Sequence, residues 1–436
     1  MLLAHNVSAG SLPAPSWLLG YIGAFAVLAT AVALRGAWTR ARLTAVGPDA
    51  FDEEAAWTDD VGIGRTRPWT QRIGQVLGLV VFGATVFAAI DGPDTAAANI
   101  VPVAVFVVWW VGLPVVCLAA GDVMRAVNPF APVVQWVERM RPNLPSREHL
   151  APAWTAAIFL WVFEWYFVAY HRPGSPRATA VLLGVYALAA LGGGIGWGSS
   201  WLRRGEGFGG LSTGVAGLVR PRPGSATGAL LPIAIVLVST TAFDAVSGTD
   251  WWVDVAGSTT GWARTGVSTV GLVWLTAAVT AVAMGAIRIV AAGEAAEGVE
   301  DDAGDAGDQE AAARRAVTRL FGVALLPVAL AWFLAHDLTL LLFEGQNFIA
   351  LLSDPLGRGW DLFGTINHTI DYEVVTAGWV RWVQLGALLL GHGFAVVLAH
   401  DGAIGLLGRR RGMRVTWVAA GTAAVSIVAA SLLVLK

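Results

Sequence analysis

The sequence predicts an all-α fold: a polytopic integral membrane helix bundle of about ten transmembrane helices, with the N-terminus outside. Composition is the first observation behind this prediction. Of the 436 residues, 56% are hydrophobic and 14% are charged, whereas a soluble globular protein carries roughly 25% charged residues. With a mean hydropathy of +0.63, a water-soluble fold would have nowhere to bury so much apolar surface. The composition therefore predicts a bilayer as the natural solvent.

The second observation is a series of long apolar segments. A transmembrane helix needs about 20 mostly apolar residues. Because backbone in lipid must satisfy its own hydrogen bonds, such segments are expected to be helices. In chain order, the predicted spans are Trp17–Leu34, Ile73–Ile90, Val101–Ala120, Trp154–Tyr170, Thr179–Leu202, Ala229–Val246, Val267–Ile287, Leu320–Phe343, Trp382–Leu407 and Val415–Leu435.

The third observation is the placement of basic residues. When the spans alternate from an outer N-terminus, the inner segments hold 22 of the 28 Lys and Arg residues and the outer segments hold 6. Such a bias is typical of cytoplasmic loops. No basic residue precedes the first span and three arginines follow it, which favours an uncleaved anchor over a signal peptide. The expected location is the bacterial plasma (inner) membrane, as a multi-pass protein.

An acidic, low-complexity tract at residues 293–315 divides the chain. Its composition predicts a disordered cytoplasmic linker. It separates a seven-span membrane region, residues 1–292, from a three-span region, residues 316–436. The second region carries a long outer loop at residues 344–378. A polar connection of this length is more often functional than not.

Cysteine usage and charge exclude several classes of function. The lone cysteine, Cys117, rules out a disulfide framework and a cysteine-based metal site. The net charge of −3, without a basic cluster on a polar domain, argues against a nucleic-acid partner. The expected partners are the lipid bilayer and a small apolar substrate, and a membrane partner subunit stays open as an alternative.

The glycine-rich run at residues 192–198 lies inside a predicted span with no strand before it. A dinucleotide-binding loop requires that strand. Small residues spaced along a membrane helix let neighbouring helices approach closely. We therefore interpret this run as a packing surface.

Two carboxylates lie within predicted spans. Glu164 is well inside the fourth span, and Asp244 is near the outer end of the sixth. A carboxyl group in hydrocarbon either takes up a proton or pairs with a partner. Glu164 and Asp244 are therefore our candidate catalytic residues.

Histidines mark the last part of the chain. His336 and Asp337 lie near the outer end of the eighth span, His392 lies deeper in the ninth, and His400 lies near the inner end of the ninth. Neutral imidazole with carboxylate is a familiar ligand set for zinc, iron or copper. We predict metal ligands among His336, His392, His400 and Asp337, with His336 and His392 as the pair to test. Glu344, eight residues after His336, is expected on the same helix face.

Two other interpretations of these histidines stay open. Ionisable groups within a membrane also form proton relays in transporters. Alternatively, each histidine bonds a carbonyl or a hydroxyl group at a helix interface and has only a structural role.

Several short motifs resemble a family of polytopic bacterial membrane proteins, common in actinobacteria, that carry the name fenitrothion hydrolase. The most specific is SDPLGRGWDLFGT at residues 353–365, with Ala335-His336 and Gln346 upstream and Gly391-His392 and Ala399-His400-Asp401 downstream. Weaker matches are Ala4-His5, Leu12-Pro13-x-Pro15, Asn128-Pro129, Trp201…Arg204-Gly205-Glu206-x-Phe208 and Phe243-Asp244…Ser247-x-Thr249. Asp337 stands where the family pattern has an aromatic residue.

The resemblance implies membrane-bound hydrolysis of an organophosphate triester. It supplies no catalytic residues. The first hypothesis is therefore a metal-dependent phosphotriester hydrolase with an intramembrane His/carboxylate site. The alternatives are a transporter for a small solute or a metal ion, and a non-catalytic membrane subunit of a larger complex.

Overall fold

The computed structural model describes residues 14–43, 68–141, 154–220, 228–297 and 306–435. The predicted all-α fold is confirmed, because these ranges are about 80% helical and contain no strand. The Ala4-His5 motif and residues 298–305 of the predicted linker lie outside the described residues. Helices enter the linker tract from both sides, and its disorder stays a prediction.

The helices of the described residues are numbered in chain order. They are α1 (Ser16–Ala37), α2 (Pro68–Asp91), α3 (Ile100–Val103), α4 (Gly112–Ala120), α5 (Val123–Val127), α6 (Ala131–Met140), α7 (Thr155–Val168), α8 (Pro176–Trp197), α9 (Gly207–Val219), α10 (Leu230–Ser247), α11 (Asp250–Ala256), α12 (Gly261–Glu297), α13 (Ala306–His336), α14 (Gly345–Ser353) and α15 (Ala377–Val434). A π-helix, Ala104–Trp109, joins α3 to α4, a second, Leu340–Glu344, precedes α14, and a 3₁₀-helix, Ser199–Arg203, follows α8.

Seven of the described helices are long and apolar enough to cross a membrane: α1, α2, α8, α10, α12, α13 and α15. The α3–α4 pair is bent by 40° and makes an eighth if it is counted as one span. Large apolar side chains cover the outside of the bundle, and Phe25, Leu188 and Leu390 are each about three-quarters exposed. An apolar exterior of this extent suits lipid and not water.

Helix α15 is a hairpin of two arms. Gly408, with φ 73° and ψ 171°, breaks it in the middle. Beyond the break the arms run antiparallel, since Gly412 lies against Ala403 and Ile404 and His400 lies 2.9 Å from the Thr416 hydroxyl. The predicted spans Trp382–Leu407 and Val415–Leu435 therefore correspond to the two arms, joined by a much tighter turn than expected.

The centre of the bundle is formed by α10 and α13. In the apolar stretch of each of these two helices, 72% of the residues are buried, whereas only 17% are buried in the corresponding stretches of α2 and α12. Helix α13 packs along both α10 and α15, and α1 packs along α15. The two most enclosed helices are thus the ones that carry Asp244 and His336.

The predicted outer loop, 344–378, is partly helical, because its first residues form α14. Its remainder folds on itself: Asp354 accepts hydrogen bonds from the backbone N–H groups of Arg358 and Gly359, at 2.8 and 2.7 Å. The Ser353 hydroxyl accepts one from the Phe363 N–H at 3.2 Å. The Arg358 guanidinium pairs with Asp91 at the end of α2. The SDPLGRGWDLFGT motif is therefore an ordered cap fixed to a neighbouring helix.

Candidate metal centre

Helices α10 and α13 bring an acid and an imidazole together near their C-terminal ends. Nε2 of His336 lies 2.9 Å from Oδ2 of Asp244. The two side chains are 11% and 21% exposed, respectively. The pair is therefore enclosed by the bundle but still accessible to a small molecule.

Asp337 completes a group of three donors. One ligand atom from each of Asp244, His336 and Asp337 lies within 4.8 Å of the other two, and Asp337 is only 5% exposed. The last turn of α13 positions the two adjacent side chains, since the Asp337 N–H still bonds the Phe333 carbonyl at 2.9 Å.

Glu164, on α7, is a fourth ionisable group beside this cluster. It is 3% exposed, and its Oε1 atom has no hydrogen-bond partner among the described residues. Thr240 is a polar neighbour, and Asp337 and Asp244 are close enough to act on Glu164 electrostatically. The sequence predicted Glu164 and Asp244 as candidates, and the structure places both at the same centre.

The donor set fits a divalent transition metal. Ligand atoms about 2.1 Å from a tetrahedral ion are about 3.4 Å apart, and the three donors lie within 4.8 Å of one another. The carboxyl groups of Asp244, Asp337 and Glu164, of which the last two are buried, would repel one another if all were ionised. A cation between them removes that cost. The orphaned Oε1 of Glu164 is a further polar atom that a ligand at this centre would satisfy.

Aromatic side chains form one wall beside the centre. The Trp110 ring lies 5.2 Å from Phe163 and 5.0 Å from Phe333, residues next to Glu164 and one turn before Asp337. The two π-helices, Ala104–Trp109 and Leu340–Glu344, pack against each other nearby. Short π-helical segments are frequent at functional sites.

His392 lies elsewhere, with both ring nitrogens bonded. Nδ1 donates to the Leu388 carbonyl at 2.7 Å, and Nε2 lies 3.0 Å from the Ser426 hydroxyl. That hydroxyl also accepts from the Trp332 indole N–H at 3.1 Å. The expected His336/His392 pair is therefore not brought together, and His392 matches the alternative of a structural histidine.

His400 is also separate from the centre. Its Nε2 donates to the Trp38 carbonyl and its Nδ1 faces the Thr416 hydroxyl, each at 2.9 Å. The neighbouring Asp401 accepts from the Trp38 indole N–H at 2.6 Å. These contacts fasten the end of α1 to the first arm of α15, which is a structural use of both residues.

Sequence reasoning missed the partnership of Asp244 with His336. One signal was available, because both residues were predicted near the outer ends of their spans and thus at similar depth. Thr240 carries no pattern that separates it from any other threonine in an apolar helix.

Comparison of the chain with known protein families, with curated proteins and with solved structures gives no match.

Proposed function

We propose that Asp244, His336 and Asp337 bind a divalent transition metal (zinc, iron or copper), and that this membrane protein hydrolyses an organophosphate triester. The observation that carries the proposal is the convergence of the three donor atoms within 4.8 Å of one another, beside the unpaired carboxylate oxygen of Glu164. The reaction class comes from the resemblance to fenitrothion hydrolase.

Each residue has a distinct role in this proposal. Asp244, His336 and Asp337 hold the metal, which when bound would polarise a phosphoryl oxygen and acidify water. Glu164 accepts the proton of the attacking water as a general base. The bond from phosphorus to the leaving group breaks as the bond from phosphorus to the water oxygen forms. The aromatic wall around Trp110 would hold the apolar ester groups.

The proposed topology has ten crossings, with the N-terminus outside the bacterial plasma membrane. Beyond the seven long helices, the bent α3–α4 pair is one crossing, the 14-residue α7 is another, and the hairpin α15 supplies two crossings in place of one. The bias of arginines toward the predicted inner segments supports this orientation. Asp244 and His336 then lie toward the outer face.

The test combines metal analysis with an activity assay. Protein purified in detergent is analysed for bound metals, then reconstituted in liposomes and given a phosphotriester that releases a coloured nitrophenol. We expect about one metal per chain and turnover that is lost in His336→Ala and in Glu164→Gln, with metal retained in Glu164→Gln. Purified protein without stoichiometric metal would sink the proposal.

A second candidate function is cation transport, favoured by one observation. The α3–α4 helix is broken by 40°, and its π-helical segment packs against the one that follows the acid–imidazole centre. Broken helices within a membrane commonly form ion sites in transporters. Proteoliposome uptake of a divalent metal, driven by a proton gradient and abolished in Asp244→Asn, would favour this function over hydrolysis.

A further inference from the structure

The outer loop contains a segment that carries no charge. Residues 362–370 read LFGTINHTI and hold no Asp, Glu, Lys or Arg, although Asp361 precedes them and Asp371 follows them. In a soluble protein about a quarter of the residues are charged. A loop that lay wholly in water would gain nothing from an uncharged segment that contains a leucine, a phenylalanine and two isoleucines.

Four large apolar side chains of this loop face outward. Leu362 and Phe363 are 59% and 64% exposed, and Ile349 and Leu352, on the preceding helix α14, are 43% and 40% exposed. We call these four residues the apolar patch. Exposed apolar side chains that lie together mark a surface that contacts another molecule or a membrane.

Hydrogen bonds hold the two halves of the apolar patch together. The Leu362 N–H donates to the Ser353 carbonyl at 3.1 Å, at the end of α14. The Thr365 hydroxyl donates to the Ile349 carbonyl at 2.8 Å, and the Thr365 N–H donates to the Ser353 hydroxyl at 3.2 Å. The patch is therefore a preformed surface, and its contact with a partner requires little further ordering of the chain.

The position of the loop along the bundle is set by helix α2. The Arg358 guanidinium pairs with Asp91, which is the last residue of α2. Just before it, Phe87 and Ile90 are exposed on the apolar outside of that helix. Because α2 is long and apolar enough to cross a membrane, the loop lies at the level where this helix leaves the hydrocarbon.

Aromatic side chains near the patch are typical of the same level. The Arg358 guanidinium lies 5.6 Å from the centre of the Trp360 ring, and Trp360 is partly exposed. Trp379 and Trp382, at the start of α15, are also exposed. Tryptophan is enriched where a membrane meets water, because its ring is apolar and its N–H is polar.

We infer that the apolar patch inserts into the outer leaflet of the bilayer and holds the loop at the membrane surface. The partner is a lipid surface and not a second protein, because the patch is uncharged and is anchored beside the apolar exterior of α2, which itself faces lipid. The charged residues Asp361 and Asp371 then stay at the water side of the segment between them. The inference does not depend on the proposed hydrolase activity.

A fluorophore attached to a single cysteine tests this inference. Cys117 is the only cysteine of the chain and is buried, so a thiol-reactive fluorophore reports on an introduced cysteine, and the wild-type chain measures background labelling. The variants are Phe363→Cys and Leu362→Cys, which keeps Phe363. Glu373→Cys is the matched control, since Glu373 is an exposed acid of the same loop. Each labelled chain is reconstituted in vesicles of phosphatidylcholine and phosphatidylglycerol.

Two quenchers then locate the fluorophore. One is a lipid with a spin label near the top of its acyl chain, and the other is iodide, present on both sides of the vesicle. An apolar segment at the interface lies about 5–10 Å below the headgroup surface, so the lipid should quench the fluorophore at positions 362 and 363 at least about threefold more than at position 373. Iodide should show the opposite preference.

Two results would overturn the inference. Iodide quenching at position 363 equal to that at position 373 would place the patch in water. Protection of position 363 from both quenchers would mean that protein, and not lipid, covers the patch. Agreement between Leu362→Cys and Phe363→Cys is required in either case, because each variant removes one side chain of the patch and keeps the other.

Discussion

The imidazole of His336 and the carboxylate of Asp244 lie 2.9 Å apart, although 92 residues separate them in the chain. They are carried by the two most enclosed spans of the bundle. Because neither helix can move outward without exposing its polar residue to lipid, the packing of α10 on α13 fixes this contact. The pair therefore supplies two of the three candidate metal ligands in a fixed arrangement.

Substitution at this pair should remove bound metal. We expect His336→Ala and Asp244→Asn each to lower the metal affinity of purified protein at least tenfold. The first deletes one of three convergent donors, and the second replaces a charged donor by a neutral amide. His392→Ala is the matched control, since both of its ring nitrogens are bonded within the protein. Metal content by mass spectrometry is the measurement, and equal loss in His392→Ala would contradict the assignment.

The carboxylate of Asp401 should contribute to stability and not to metal binding. It is fully buried and accepts hydrogen bonds from the Trp38 indole at 2.6 Å and from the backbone N–H groups of Arg42 and Leu43 at 2.7 and 2.9 Å. Asp401→Ala leaves these donors unpaired, at a cost of about 2–3 kcal/mol. Thermal melting in detergent measures the loss.

Glu373→Ala provides the control for that substitution. Glu373 is an exposed acid in the outer loop, so its replacement should leave the melting temperature nearly unchanged. Metal content should stay at the wild-type level in Asp401→Ala. A melting temperature of Asp401→Ala equal to the wild-type value would show that the three hydrogen bonds do not hold α1 to α15.

The sequence predicted the fold class from simple physics. Lipid requires long apolar helices, and the positions of Glu164, Asp244 and His336 along their spans follow from counting residues. Depth alone placed Asp244 and His336 at a similar level. Their contact was nevertheless not predictable, because it depends on which faces of α10 and α13 meet.

The position of His392 shows why the direction in which a side chain points from its helix could not be predicted from the sequence. An added Cβ on Gly391 would lie 2.7 Å from the Pro327 carbonyl oxygen, so α15 and α13 approach closely there. His392, the next residue, lies against the Ser426 hydroxyl and not against His336. The expected face of His336 and Glu344 also assumed regular α spacing, which the π-helix Leu340–Glu344 interrupts.

Buried Glu206 should make stability depend on pH. It caps α9 between two apolar helices and is fully buried. Burial raises the pKa of its carboxyl to about 7, above the ordinary 4.5. The unfolded chain then loses this proton above pH 4.5, whereas the folded protein keeps it until about pH 7. The free energy of unfolding should therefore fall between these values, by up to about 3 kcal/mol.

Glu206→Gln isolates this effect, because glutamine cannot release a proton. Melting temperatures in detergent, measured from pH 5 to pH 8, should decline for the wild type and decline less for Glu206→Gln. At pH 5 the two proteins should differ least, since Glu206 is then protonated in the folded state. An equal decline in both proteins would assign the pH dependence to other groups.

The turn of the α15 hairpin depends on a glycine at position 408. Its φ of 73° with ψ of 171° is a backbone conformation that is open almost only to glycine. Gly408→Ala should therefore destabilise the protein by about 1–3 kcal/mol. No atom lies within 4 Å of an added Cβ, so the cost comes from the backbone alone.

Gly421→Ala, in the second arm, is the control. An added Cβ there also meets open space, but the backbone is ordinary helix, so this substitution should be neutral or stabilising by roughly 0.5–1 kcal/mol. The measurement is the melting temperature of each variant relative to the wild type. The same change in both variants would show that the backbone conformation of Gly408 is not what requires glycine in the hairpin turn.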